Sequence, residues 1–283
     1  MSRINAAFAR ARREGRAAFV PYLTAGDPSA AGTVSLARVL DQAGADVLEL
    51  GVPFSDPVAD GPVLQRSAER ALANGTNFPA VLRIAEAIRS DTDLAMVLFS
   101  YLNPLLHRGL ARAAREARGA GFDAVLVTDV PADEGAEIGG IFRREGLDTV
   151  FLVSPTSPAS RMEQAARISS GFLYVISRRG TTGARDSLPA DLRATLTRAR
   201  RAVKMVTRRS EGEPSLPIAV GFGIGTPRDA RAAAALADGV VVGSALVALA
   251  EKTGDDEQVG RFAESLVRAC QRRGPARTLR SLT

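Results

Sequence analysis

Eight short apolar runs, each followed by a helix-like pattern, constrain this sequence more than anything else in it. They span residues 18–23, 46–50, 94–100, 123–127, 149–153, 172–176, 217–221 and 239–242. The runs are near-continuously apolar rather than alternating, as strands covered on both faces of a parallel sheet must be. Amphipathic segments lie between them, at 63–73, 79–89, 109–120, 134–145, 160–168, 189–203 and 227–236. One runs to Ala43 from Ser29, a good N-cap residue, and others start at Ser244 and Glu257. Strand-helix alternation implies βαβ units with right-handed crossovers. A count of eight, with polar residues gathered after the strands, predicts one closed (β/α)8 TIM barrel of the α/β class. An open doubly wound sheet is the alternative. An extra helix is expected at 2–14, with Ile4 and Phe8 on its apolar stripe, and extra helices are expected in the loops. A barrel of about 250 residues accounts for the 283 present. No Pro-, Gly- or Ser-rich linker divides them, so residues 1–283 are expected to form a single domain.

The second run carries the sharpest chemical signal. Val47 to Leu50 is apolar except for Glu49, and the chain then enters a loop with three prolines and the carboxylates Asp56 and Asp60. A charge within an apolar strand is costly unless it is paired, hydrogen-bonded or neutralised. The loops at the C-terminal ends of barrel strands are where such folds place chemistry. Glu49 and Asp60 are therefore the candidate acid/base pair. The structural reading is a salt-bridged Glu49 and an Asp60 that merely shapes the turn before Gly61. The loop's density of Pro, Gly and Asp exceeds what a simple connection needs.

Three Gly-rich turns fall late: Arg178 to Gly183, Gly221 to Gly225 after the seventh run, and Gly243-Ser244 after the eighth. Glycines let backbone N–H groups approach an anion, and a helix N-terminus adds a favourable dipole. Barrels often seat phosphate after strands seven and eight. Other chemistries have little to work with. Cys270 is the only cysteine and His107, in an expected loop, the only histidine. That leaves no Cys-rich or His-cluster metal site. A net charge of +6 raises nucleic-acid binding as a possibility. However, the 31 acidic residues are mixed among the 37 basic ones, and no aromatic residues interleave the Arg runs. With no apolar run of membrane-spanning length and no secretory segment at the N-terminus, a cytoplasmic chain bound to neither nucleic acid nor membrane is expected.

The segment Leu48-Glu49-Leu50-Gly51-Val52-Pro53-Phe54-Ser55-Asp56-Pro57-Val58-Ala59-Asp60-Gly61-Pro62 resembles the signature of the tryptophan synthase alpha subunit family nearly letter for letter. The likeness covers nearly the whole chain. Phe19 to Pro28 is similar to that family's first strand, and Asp129-Val130-Pro131 to its turn after strand four. Ser177 to Gly183 resembles its loop six, and Gly221-Phe222-Gly223-Ile224 and Gly243-Ser244 its phosphate turns. The sequence departs from the family at Arg179 and Thr181 in loop six, and in a longer connection over 204–215.

The resemblance implies retro-aldol cleavage of indole-3-glycerol phosphate to indole and glyceraldehyde 3-phosphate. It implies Glu49 and Asp60 as the catalytic pair, and Tyr22, Phe99, Tyr101, Asp129, Tyr174, Thr182 and Phe222 as substrate-binding residues. Gly183, Gly223, Gly243 and Ser244 would hold the phosphate. No metal or cofactor is implied in this chain. Pyridoxal phosphate is expected in a beta subunit that receives the indole for tryptophan biosynthesis, in an α2β2 heterotetramer. By the same resemblance, Asn103 and Pro104 would share a docking face with the loop 53–60. The alternatives are a stand-alone indole-3-glycerol-phosphate lyase and a mainly allosteric subunit with weak chemistry of its own. Intact Glu49 and Asp60 argue against the latter.

Overall fold

The computed structural model describes residues 2–177, 191–207, 215–221 and 223–272. Eight parallel strands close into a barrel in chain order, with the last strand paired to the first. They are β1 (Ala18–Thr24), β2 (Val47–Gly51), β3 (Ala95–Ser100), β4 (Ala124–Val127), β5 (Asp148–Val153), β6 (Leu173–Ile176), β7 (Ile218–Gly221) and β8 (Gly239–Val242). The helices among the described residues begin with α1 (Arg3–Arg13), α2 (Ala30–Gln42), α3 (Pro62–Ala73) and α4 (Phe78–Asp91). The chain continues with α5 (Leu102–Arg108), α6 (Leu110–Gly119), α7 (Gly135–Arg144) and α8 (Ala159–Ile168). It ends with α9 (Leu192–Thr207), α10 (Pro227–Ala234), α11 (Ser244–Thr253) and α12 (Asp256–Ala269). The closed barrel excludes the open doubly wound sheet.

Two apolar layers result from the strand period of two. Leu48, Leu50, Met96, Leu98 and Val240 point outward and pack beneath the helices. Val20, Tyr22, Val47, Val97, Phe99, Leu126, Tyr174 and Val241 fill the barrel interior. Glu49 lies between the outward Leu48 and Leu50, so it shares the inward face of β2 with Val47. It pairs in register with Tyr22 on one side and Val97 on the other.

The extra N-terminal helix closes the barrel floor. Ile4, Ala7, Phe8 and Ala11 of α1 join the interior layer, and the rings of Phe8 and Phe172 lie 5.4 Å apart. Gly239 makes room for this plug, because a Cβ there would sit 2.8 Å from the Phe8 ring. With the floor lined by apolar side chains, the cavity formed by the described residues lies toward the C-terminal ends of the strands.

One element differs from expectation. The sequence places His107 in a loop after the third strand. Instead α5 begins at Leu102, and His107 is exposed on it. Pro104 falls in the helix's first turn, where a missing N–H loses no intrahelical bond.

Candidate active site

Glu49 is 1% exposed, and its Oε1 has no hydrogen-bond partner among the described residues. Burial therefore penalises its charged form and pushes its carboxyl up to about 8 from the usual 4.5. Asp60 is held differently. The Tyr101 hydroxyl, at the end of β3, donates to Asp60 Oδ2 at 3.2 Å and accepts from the Ala59 N–H at 3.0 Å. Burial raises Asp60 to about 6, with the Tyr101 hydrogen bond pulling the other way. Near neutral pH the two carboxyl groups thus differ in state: Glu49 keeps its proton and Asp60 is mostly ionised. Environments that push two pKa values apart distinguish an acid from a base.

Both groups line a cavity of about 160 Å³ at the top of the barrel, together with Tyr22, Val63, Leu64, Phe99, Tyr174 and Val241. Tyr22 and Phe99 meet edge to face, with ring centroids 5.1 Å apart. Glycines seat the two tyrosines. A Cβ on Gly51 would lie 2.1 Å from the Tyr22 hydroxyl oxygen, and one on Gly221 would lie 2.2 Å from that of Tyr174. Any side chain at these two positions would displace the phenol that lies over it. Burial raises both phenols above their ordinary pKa, with the nearby carboxylates adding to the shift. They stay neutral and act as walls and hydrogen-bonding groups.

The far wall is made of backbone. Gly223, Ile224, Gly225, Gly243, Ser244, Ala245 and Ala248 complete the lining. Gly223 has φ +80°, in the left-handed region that favours glycine. Gly243 is the N-cap of α11 and makes no side-chain capping bond. The Leu246 N–H donates to the Gly243 carbonyl at 2.9 Å, which leaves the Ser244 and Ala245 N–H groups to a partner outside the helix, and with the helix dipole they suit an anion. Among the described residues no group of His, Cys, Asp and Glu is arranged to hold a metal ion.

A buried carboxylic acid, a tyrosine-held carboxylate, apolar walls and a helix N-terminus thus meet in one barrel mouth. The profile of the family described as tryptophan synthase alpha chain matches residues 8–272. The chain belongs to the tryptophan synthase alpha chain family. The Citrifermentans bemidjiense alpha chain is 47% identical over 269 residues, covering 94% of this chain and 97% of that one. The Geobacter sulfurreducens alpha chain is 45% identical over 252 residues, covering 89% and 91%. A solved alpha chain from Legionella pneumophila superposes with a TM-score of 0.82 at 35% identity, covering 95% of this chain and 97% of that one. Tryptophan synthase from M. tuberculosis in an aminoacrylate-bound form gives a TM-score of 0.83 at 28% identity, covering 95% and 100%.

Of the residues that likeness to the tryptophan synthase alpha family singled out, Tyr22, Glu49, Asp60, Phe99, Tyr174, Gly223, Gly243 and Ser244 share the cavity wall. Tyr101 stands behind Asp60. Asp129 is exposed, is not part of the cavity wall, and accepts the Leu102 N–H at 2.8 Å at the start of α5. Thr182, Gly183, Phe222 and the departures at Arg179 and Thr181 lie outside the described residues, as does most of the connection over 204–215. Sequence reasoning missed Val63, Leu64, Val241, Ala245 and Ala248 as wall residues. The signal was there for two of them: Val63 and Leu64 open the helix straight after Asp60-Gly61-Pro62. No helix in the described residues is long and apolar enough to cross a membrane.

Proposed function

We propose that this chain works as the alpha subunit of tryptophan synthase, with Glu49 and Asp60 dividing the proton traffic of a retro-aldol cleavage. The substrate is indole-3-glycerol phosphate and the products are indole and glyceraldehyde 3-phosphate. The observation that carries this reading is the buried, unpartnered Glu49 carboxyl and the Tyr101-held Asp60 in one apolar cavity, an arrangement that favours a protonated Glu49 and an ionised Asp60. Protonated Glu49 delivers its proton to C3 of the indole ring, and the resulting positive charge on the ring nitrogen is met by the Asp60 carboxylate. Glu49, now a carboxylate in an apolar site, is a strong base and takes the proton from the glycerol hydroxyl next to the ring. The bond from C3 to that carbon breaks, its electrons return to the ring, and the carbinol becomes the aldehyde. The proton count closes with Glu49 protonated again, and no water is consumed. Excluding water keeps Glu49 in its proton-bearing state between turnovers.

Tyr22, Phe99 and Tyr174 form the indole slot, and Tyr101 aims Asp60. Gly223, Gly243 and Ser244 hold the phosphate at the start of α11; Gly183, the fourth phosphate residue, and Thr182, a substrate residue, lie outside the described residues. Asp129 is the remaining described substrate residue, and Phe222 lies outside the described residues. Replacing Ser244 with Asp puts negative charge where phosphate belongs. KM for the phosphorylated substrate should rise in steady-state assays by more than about fivefold, the size of one helix-terminus interaction. An unchanged KM places the phosphate elsewhere.

The chain carries no cofactor of its own. Pyridoxal phosphate belongs to the beta subunit, which joins indole to serine in an α2β2 heterotetramer in the cytoplasm. Residues 1–283 make up one domain. The docking face is supported by an exposed apolar pair beside the catalytic loop. Val58 is 69% exposed and Leu106, on α5, 52% exposed, with Asp56 and Asn103 also exposed. A partner seated there orders the loop that carries Asp60 and raises the population of the competent state. The expected result is slow turnover by the isolated chain, stimulation by a cognate beta subunit, and a Asp56→Ala variant that loses far more of the stimulated rate than of the basal one. Full speed alone, with no response to the partner, favours a stand-alone lyase.

A further inference from the structure

Arg70 of α3 joins three pieces of the barrel mouth through one guanidinium. Its Nε and Nη2 donate to Asp27 Oδ1 and Oδ2, each at 2.8 Å, in the loop after β1. Its Nη1 donates to Glu251 Oε1 of α11 at 2.7 Å. Arg66, one turn back on α3, adds bonds of 3.3 and 3.2 Å to the same Glu251 carboxylate. The Asp27 side chain is only 10% exposed, so this is more than a solvated surface pair. Nearby, the Ser67 and Thr24 hydroxyls lie 2.7 Å apart, and Asn74 Nδ2 donates to the Pro28 carbonyl at 2.8 Å.

The placement matters because both helices begin at the active site. The first turn of α3 follows Asp60 and puts Val63 and Leu64 on the cavity wall, and α11 puts Ser244, Ala245 and Ala248 there. Arg70 lies seven residues beyond Val63, and Glu251 seven beyond Ser244. Two helical turns bring residues back to the same face. The ion pair therefore joins the very faces whose other ends line the cavity.

We propose that Arg70 is a positioning residue: it clamps α3 to α11 and to the β1 loop, and so fixes the spacing between Asp60 and the phosphate seat at Ser244. Only a fork of several fixed donors can hold two carboxylates at once in this way; a lysine offers a single point charge. The two arms act on different steps. The Asp27 arm holds α3, and with it Asp60. The Glu251 arm sets where α11 stands relative to α3, and with it the phosphate. This inference rests on the phosphate assignment proposed above.

The test uses the αβ complex and two substrates, indole-3-glycerol phosphate and the same molecule without its phosphate. Glu251→Gln should lower the ratio of kcat/KM for phosphorylated over unphosphorylated substrate by about two- to fivefold, chiefly through KM. Asp27→Asn should lower kcat for both substrates alike, by up to about 10²-fold if Asp60 is displaced by an ångström. Arg70→Met should show both effects. Should Arg70→Met fail to fold, the near-isosteric Glu251→Gln and Asp27→Asn carry the test. If these variants lower the melting temperature but leave the substrate ratio and kcat unmoved, the clamp is only structural and the proposal is overturned. Ser244→Asp separates the two ideas. An unchanged KM there overturns the phosphate assignment, whereas a raised KM with an unmoved Glu251→Gln ratio overturns the clamp alone.

Discussion

Glu49→Gln is expected to yield a protein that hardly cleaves its substrate and yet is harder to unfold. The loss follows from the general-acid role, which typically supplies about 10²- to 10⁴-fold in rate. Binding of a substrate analogue should stay near normal, because glutamine keeps the shape and the neutral state of the protonated acid. The gain in stability follows from the same burial. The Glu49 carboxyl titrates at about 8 in the folded chain, against 4.5 when exposed. Above 4.5 the unfolded chain releases a proton that the folded chain must keep, so unfolding becomes easier as pH rises. The cost is absent below the unfolded value, grows through the window and is complete once the folded value is passed. Glutamine removes it. The melting temperature of the variant should exceed that of the wild type by several degrees at pH about 8, and the gap should close toward pH about 4.5. Retention of more than roughly a tenth of the rate removes Glu49 from the acid role. A variant less stable than the wild type at every pH means that the Glu49 carboxylate makes a favourable contact.

Asp46→Ala should be among the most destabilising single changes in the chain. Asp46 precedes β2 directly and is 1% exposed. Its oxygens accept from Arg16 Nη1 and Nη2 at 2.5 and 2.9 Å, from Arg10 Nη2 at 3.1 Å and from the Phe19 N–H at 2.9 Å. One carboxylate thus pins the start of β2 to β1, to α1 and to the segment joining them. Removing it leaves the buried Arg16 without its main counter-charge, and breaking a buried pair from one side costs about 3–5 kcal/mol. Denaturant unfolding monitored by circular dichroism measures the loss. A change below about 1 kcal/mol means that water or a rearranged Arg16 replaces the pair.

Much of this was legible in the residues alone, and the physical reason differs from case to case. The strands were legible because a strand covered on both faces has to be apolar throughout, and eight such runs leave few arrangements. Glu49 stood out because a carboxylate breaks that rule. The late glycines stood out because glycine lets backbone N–H groups approach an anion closely. What stayed hidden depends on contacts between distant residues. Tyr101 and Asp60 are 41 positions apart in the chain, and their hydrogen bond offsets part of the burial that raises the second carboxyl. Arg70 reads as one arginine on the polar face of an amphipathic helix, and nothing local ties it to Asp27 or Glu251. Helix α5 was hidden by Pro104, which breaks a helix interior but not a first turn. The plugging role of α1 was also invisible, since an apolar stripe does not say what it will cover.

The most direct test of the central claim is the pH dependence of kcat/KM for indole-3-glycerol phosphate cleavage, which reports the free enzyme's essential acid and base. A bell is predicted, rising as Asp60 ionises near pH about 6 and falling as Glu49 loses its proton near pH about 8. A rate that keeps climbing beyond pH about 8 contradicts the assignment, because Glu49 would then act first as a carboxylate and not as the acid that protonates the ring.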